Sequence, residues 1–209
     1  RAMHAAMLDA VALFMAGRFL RSRKTALESL AQENALAQAQ AHVPHARQLR
    51  ALAHLVSAEA SQALQDHPQR EHHLQQALHH APERGTQNER ELREGIQMRA
   101  AHWALANREP QAALDWLASL PQGAARRTLA LRLRLKAARR ARRTQSALET
   151  ARLLNKHRAF SPEAGASIVR GLALELINDA HDPAQLQQAW QMLDAAERVF
   201  ELRGVSHTS

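Results

Sequence analysis

One cadence returns along this chain and limits what it can fold into. It is plainest from Trp103 to Pro121. A helical stretch ends in the small polar turn Asn107-Arg108-Glu109, and a second opens at once at Pro110. That second stretch carries Ala112, Ala113, Trp116 and Leu120 at helical spacing and stops at Pro121. Pro110 suits a helix start, where its missing N–H has no intrahelical partner to lose. The unit predicted is a pair of antiparallel helices, and one such pair cannot bury its apolar face alone.

The pattern repeats. Second helices align on a small residue followed by a large apolar one: Ala77-Leu78, Ala113-Leu114, Ala147-Leu148 and Ala189-Trp190, at intervals of 36, 34 and 42 residues. Tetratricopeptide-type arrays repeat at about 34 residues. The predicted fold is therefore all-α, a tetratricopeptide-like α-solenoid of about five antiparallel helical hairpins. It would occupy residues 3–200 as one degenerate repeat domain, with 201–209 a disordered tail. An irregular α-bundle is the competing architecture, because the last interval is stretched.

Composition agrees with helices. Hydrophobic residues make up 45% of the 209, aromatics only 3%, and tyrosine is absent, so Ala and Leu carry the apolar content. Both are strong helix formers. Seven Gly and seven Pro are too few for the turns of a many-stranded sheet. Cysteine is absent, which excludes disulfides, thiolate zinc sites and cysteine nucleophiles. A formal charge of +8 points to an anionic partner.

Five pairs can be placed. Helices are expected over 3–16 and 19–37, with Gly17-Arg18 as the turn and a break at Pro44, then over 45–64 and 69–80. Leu49, Leu52, Val56, Ala60 and Ala63 would form the buried stripe of the third helix, with Leu74, Ala77 and Leu78 facing back onto it. Leu92, Ile96, Ala100 and Trp103 would be buried next. Leu129, Leu131, Leu133 and Leu135 alternate with polar or small residues, which is strand periodicity. We read it as helix, because an isolated strand could not satisfy its backbone hydrogen bonds. Its partner runs over 144–156. The last pair runs over 161–178 and 183–200, started by Ser161-Pro162-Glu163 and Asp182-Pro183, with Leu186, Ala189, Trp190, Leu193, Ala196 and Phe200 as its stripe.

Several stretches together resemble the HemY family. They are Ala10 to Phe19, Ala51 to Ala60 with Gln69 to Leu78, Trp103 to Leu120, and Leu154 to Val169. The likeness spans roughly residues 3 to 200 and is spread over apolar and repeat positions. It implies a bacterial inner-membrane protein encoded among heme-biosynthesis genes, with two membrane helices followed by tetratricopeptide repeats, linked to late protoheme synthesis without an assigned reaction. Its partners would be heme-pathway proteins. The soluble domain would lie on the cytoplasmic face, which arginine-rich sequence beyond the anchor also favours. No apolar run here reaches the ~18 residues of a membrane span. Met7 to Leu20 is interrupted by Asp9 and Arg18 and reads as an amphipathic helix. With Arg1 at its start, the chain is expected to be a piece lacking the anchor.

The same family name also denotes an unrelated flavin-dependent oxidase. Such an enzyme needs a strand, a Gly-rich turn and a helix to seat the dinucleotide pyrophosphate. None of the seven glycines lies in a G-x-G-x-x-G array, so that activity is rejected. There is also no H-E-x-x-H, G-x-S-x-G or P-loop motif. The chain is predicted not to be an enzyme, with no catalytic residues, no metal site and no obligatory cofactor.

Two constellations remain as binding candidates. Arg132, Lys136, Arg139, Arg140 and Arg143 recur at three- and four-residue steps and make one positive stripe on a helix. Guanidinium groups suit carboxylates and phosphates, so porphyrin propionates and anionic lipid headgroups fit. Nucleic acid fits less well, since no aromatics are interleaved for base stacking. The second constellation is His72, His73, His79 and His80, which crowd one helix together with His67 at its entry. Ligands stacked at i and i+4 are not available, because position 76 is Gln76. The expected reading is an exposed polar face, with heme ligation as its alternative. A non-enzymatic scaffold for late heme synthesis leads, followed by a heme or porphyrin carrier and by a regulatory or nucleic-acid-binding module.

Overall fold

The computed structural model describes residues 2–38, 46–157 and 161–202. Among them the chain forms eleven helices and no strand. They are α1 (Ala2–Met15), α2 (Phe19–Gln38), α3 (Ala46–Ala63), α4 (His67–His80), α5 (Gln87–Ala106), α6 (Pro110–Ala118), α7 (Gln122–Ala125), α8 (Thr128–Arg140), α9 (Thr144–Asn155), α10 (Pro162–Asp179) and α11 (Pro183–Leu202). The chain divides into two compact units, with the boundary inside α5 between Trp103 and Ala104. The expected break at Pro44 and the tail beyond Leu202 lie outside the described residues.

Helices pack on their sequence neighbours. In the first unit α1 packs on α2, α2 on α3 and α3 on α4, with α1 also reaching α3. In the second unit α6 packs on α8, α8 on α9, α9 on α10 and α10 on α11. Three-residue connections favour this between α1 and α2, α3 and α4, α8 and α9, and α10 and α11, because so short a turn folds the second helix back on the first.

Four of the turns are built identically. Gly17, Gln65, Arg108 and Arg142 adopt left-handed backbone, with φ of 76°, 58°, 61° and 54°. Each donates its N–H to the carbonyl three residues back: Phe14, Gln62, Leu105 and Arg139. The next residue's N–H then reaches five back, Arg18 to Leu13, Asp66 to Ser61, Glu109 to Ala104 and Arg143 to Ala138, at 2.8–2.9 Å. This is the Schellman helix end, which satisfies carbonyls that the helix itself cannot. The following helix starts immediately after. Only Gly17 reaches φ > 0 without the Cβ penalty; the other three sites carry ordinary side chains in a strained region.

Helix starts are set by side chains. Thr86 and Glu89 form a reciprocal capping box on α5: Glu89 N–H donates to Thr86 Oγ1 and Thr86 N–H to Glu89 Oε2, both at 3.3 Å. Gly85 makes room for it, since a Cβ there would sit 2.0 Å from Glu89 Oε2. Ser161 Oγ accepts from Ala164 N–H at 3.1 Å to open α10, and Asp182 Oδ1 accepts from Gln185 N–H at 2.9 Å to open α11.

The alternating run is helical. In α8 Leu131, Leu133 and Leu135 are buried and Leu129 is 66% exposed, a split that a two-residue period would not give. Leu131, Leu135 and Ala138 join Ala147, Leu148, Ala151, Leu154 and Leu172 as the core of the second unit. Each buried leucine contributes about 1.5–3 kcal/mol relative to exposure. The aligned small residues Ala77, Ala113, Ala147 and Ala189 are all buried, which lets neighbouring helix backbones approach closely.

Some expected stripes shift. In α3 the buried residues are Ala51, Ala53, Ser57, Ala58, Ala60 and Ser61, whereas Leu52 and Ala63 are exposed and Leu49 and Val56 lie at the margin. Because α3 touches α1, α2 and α4, its buried arc is wide and centred on small residues. Leu92, Ala112 and Trp116 are half-buried, and Leu117 is buried in their place. In α11 only Ala189 and Ala196 are buried, while Leu186 and Trp190 are exposed. The short α7 follows Pro121, where the sequence suggested only a stop.

Candidate functional site

An open cleft of about 730 Å³ lies within the second unit, walled by α6, α7, α8 and the first turn of α9. Leu114, Leu117 and Leu120 give it an apolar floor, and Arg134, Arg142 and Arg143 supply cations at its edge. The Schellman turn positions two of these: Arg142 is its left-handed residue and Arg143 the next, directly before α9. Arg143 Nε donates to Gln111 Oε1 at 3.1 Å. Arg134 reaches Ser146 Oγ at 3.5 Å and Glu149 at 3.9 Å, and Arg142 lies 4.0 Å from Asp179. Such long, exposed ion pairs hold little energy. Asp115, the one acidic residue of the lining, accepts from Gln111 Nε2 at 3.1 Å. The start of α9 has no side-chain cap, so its positive helix end adds to the arginines.

The predicted arginine stripe does not act as one surface. Arg132, Lys136 and Arg140 are exposed along α8. Arg139 is half-buried and binds Glu175 of α10 through Nε, at 2.9 Å, and through a second guanidinium nitrogen. Its charge is thereby committed to joining two helices. Arg143 belongs to the cleft instead. Arg134 and Arg142 belong to the same basic run, from Arg126 to Arg143, but fall off the stripe read from its helical spacing. Arg142 lies just beyond the helix end, where a helical wheel no longer places residues, and Arg134 sits between two buried leucines.

The histidines also divide, which corrects the expectation of a single exposed face. His72 and His79 are exposed, but His73 is only 4% exposed and points at His54 of α3. Their Nδ1 atoms are 3.0 Å apart, and His80 stacks on His54 with ring centres 5.7 Å apart. The helical period explains the split: residues seven apart share a face, while adjacent residues are turned by about 100°. Burial pushes both His54 and His73 down to about 4 from 6.5. For His54 the neighbouring His73, His80 and His72 add to this; for His73 it is His72 and Arg23, opposed by Asp66. Both are neutral at pH 7, so one ring must donate and the other accept. His54, missed in the sequence, is recognisable only once α3 is laid against α4. No group of three or more His, Asp or Glu suited to a metal ion occurs among the described residues.

Elsewhere, polar side chains tie helices together. Arg23 of α2 binds Asp66 Oδ2 at 2.8 Å and holds that carboxyl below its usual value. Arg93 of α5 donates to the Leu78 and Ala81 carbonyls at the end of α4, at 3.1 and 3.2 Å. Glu59 of α3 is gripped by Arg99 through both carboxylate oxygens and by Trp103 Nε1 at 3.3 Å. No helix among the described residues is long and apolar enough to cross a membrane. The chain matches no protein-family model, and no curated protein and no solved structure matches it.

Proposed function

We propose that this chain is a non-enzymatic, tetratricopeptide-like helical-repeat scaffold that binds partner proteins. On its resemblance to the HemY family, those partners would be proteins of late protoheme synthesis at the cytoplasmic face of a bacterial inner membrane. The observation that supports the repeat reading is the shared turn: four helix-to-helix connections carry one left-handed residue and the same pair of hydrogen bonds. A recurring turn is what a chain of helical repeats would carry, and stacked hairpins offer extended binding surfaces. The experiment passes each purified enzyme of the last steps of protoheme synthesis over the immobilised protein. Saturable retention of at least one supports the reading; retention of none defeats it.

A heme or porphyrin carrier is the second reading. The neutral imidazoles of His54 and His73 favour it, because the unprotonated ring is the ligand form. The bond between them engages only the Nδ1 atoms, which leaves the Nε2 lone pair of the donating ring as the ligating atom. Under the scaffold reading heme is not a resident cofactor.

A further inference from the structure

We propose that the arginine-edged cleft of the second unit is a docking site for a short acidic and apolar peptide segment of a partner protein. The inference deepens the scaffold reading and rests on it. Three features carry it. The cleft's volume, about 730 Å³, is in the range of specific ligand sites. Its lining sets three arginines against one aspartate, and that aspartate is already engaged by Gln111. Its floor is leucine, which needs an apolar group to displace water.

Charge and shape choose the occupant. A carboxylate would seat on Arg142 and Arg143, whose present partners are, respectively, the Asp179 carboxylate at 4.0 Å and the neutral amide of Gln111. Guanidinium forks match carboxylates in a bidentate manner. An aliphatic or aromatic side chain next to that carboxylate would lie against Leu114 and Leu117. Gln111 and Gln145 at the lining offer donors and acceptors for a peptide backbone. A nucleic-acid strand would want aromatic platforms, and the lining holds none.

The test selects a randomised heptapeptide phage library on the immobilised protein, then measures fluorescein-labelled enriched peptides by polarisation. The expected result is enrichment of Asp or Glu beside Leu, Ile or Phe. Affinity should fall at least tenfold in R142Q/R143Q and, independently, in R134E. Circular dichroism and the melting temperature of each variant serve as folding controls. Affinity should also weaken severalfold between 50 and 300 mM salt. Enriched peptides that lack acidic residues, or that bind both folded variants like the wild type, overturn the site. So does displacement of the peptide by 1 mM inorganic phosphate, or tighter binding of a 12-mer oligothymidylate. The enzyme-retention test above uses the unaltered protein and a different readout. Retained enzymes with no acidic peptide selected would refute this cleft while leaving the scaffold reading in place.

Discussion

His54 Nδ1 on α3 and His73 Nδ1 on α4 lie 3.0 Å apart, so a single shared proton joins the two helices. Protonating both rings would remove the accepting lone pair and put two positive charges at that distance inside a partly buried contact. The charged groups around the pair, Arg23 and Asp66, act on His73 with opposite signs. The first unit should therefore lose stability on acidification. Unfolded histidines protonate near 6.5 and the folded ones only near 4, so the unfolded state holds more protons between these values. The histidines' contribution to stability is fully present above pH 6.5, falls from there to about 4, and then levels off. The slope is bounded by about 1.4 kcal/mol per pH unit per histidine. Urea midpoints from pH 7.5 to 4 should show it, and H73L should flatten the profile. A midpoint independent of pH in this window would refute the arrangement.

The left-handed turn residues give a prediction of opposite sign. Arg108 has φ 61° with a full side chain, so R108G should raise stability by about 0.5–1 kcal/mol. Gly17 holds φ 76°, and G17A should lower stability by about 1 kcal/mol although its Cβ would meet nothing within 4 Å. Thermal melting of both variants checks this. The turn assignment fails if the two changes move the melting temperature in the same direction.

Leucines of the alternating run separate the two periodicities. Leu131 is 1% exposed and Leu129 is 66% exposed. L131A should cost about 2–5 kcal/mol, and L129A should stay within about 0.5 kcal/mol. Denaturant titration of the pair decides, since a strand would make the two equivalent.

Hemin should distinguish the scaffold from the carrier. The scaffold reading expects no saturable Soret shift that depends on His54, His73 or His80. A titration of wild type against H54A/H73A/H80A would show it. Saturable binding abolished in that variant would move the carrier reading to the front.

Much of the architecture is legible in the sequence because its punctuation is strong. Pro110, Pro162 and Pro183 each sit at the first position of a helix. The run from Leu129 to Leu135 is correctly read as helix because no partner strand is available. The faces are less legible. Ala and Leu recur so often that several stripes fit each helix, and only the number of neighbours decides among them. For α3, three neighbours move the buried face from Leu52 to Ala51 and Ala58. The candidate cleft is harder still, because Arg134, Arg142 and Gln111 converge from separate elements. No linear spacing joins them.

The recurring turn is held by main-chain hydrogen bonds and tolerates Gly, Gln or Arg at its central position. Side-chain identity is thus only lightly constrained at these four turns, within about 1 kcal/mol. A lineage built on such a turn can drift in its letters while its backbone keeps its shape. Kinship of this kind would be sought by superposing turns, since aligned residues retain little of what is inherited.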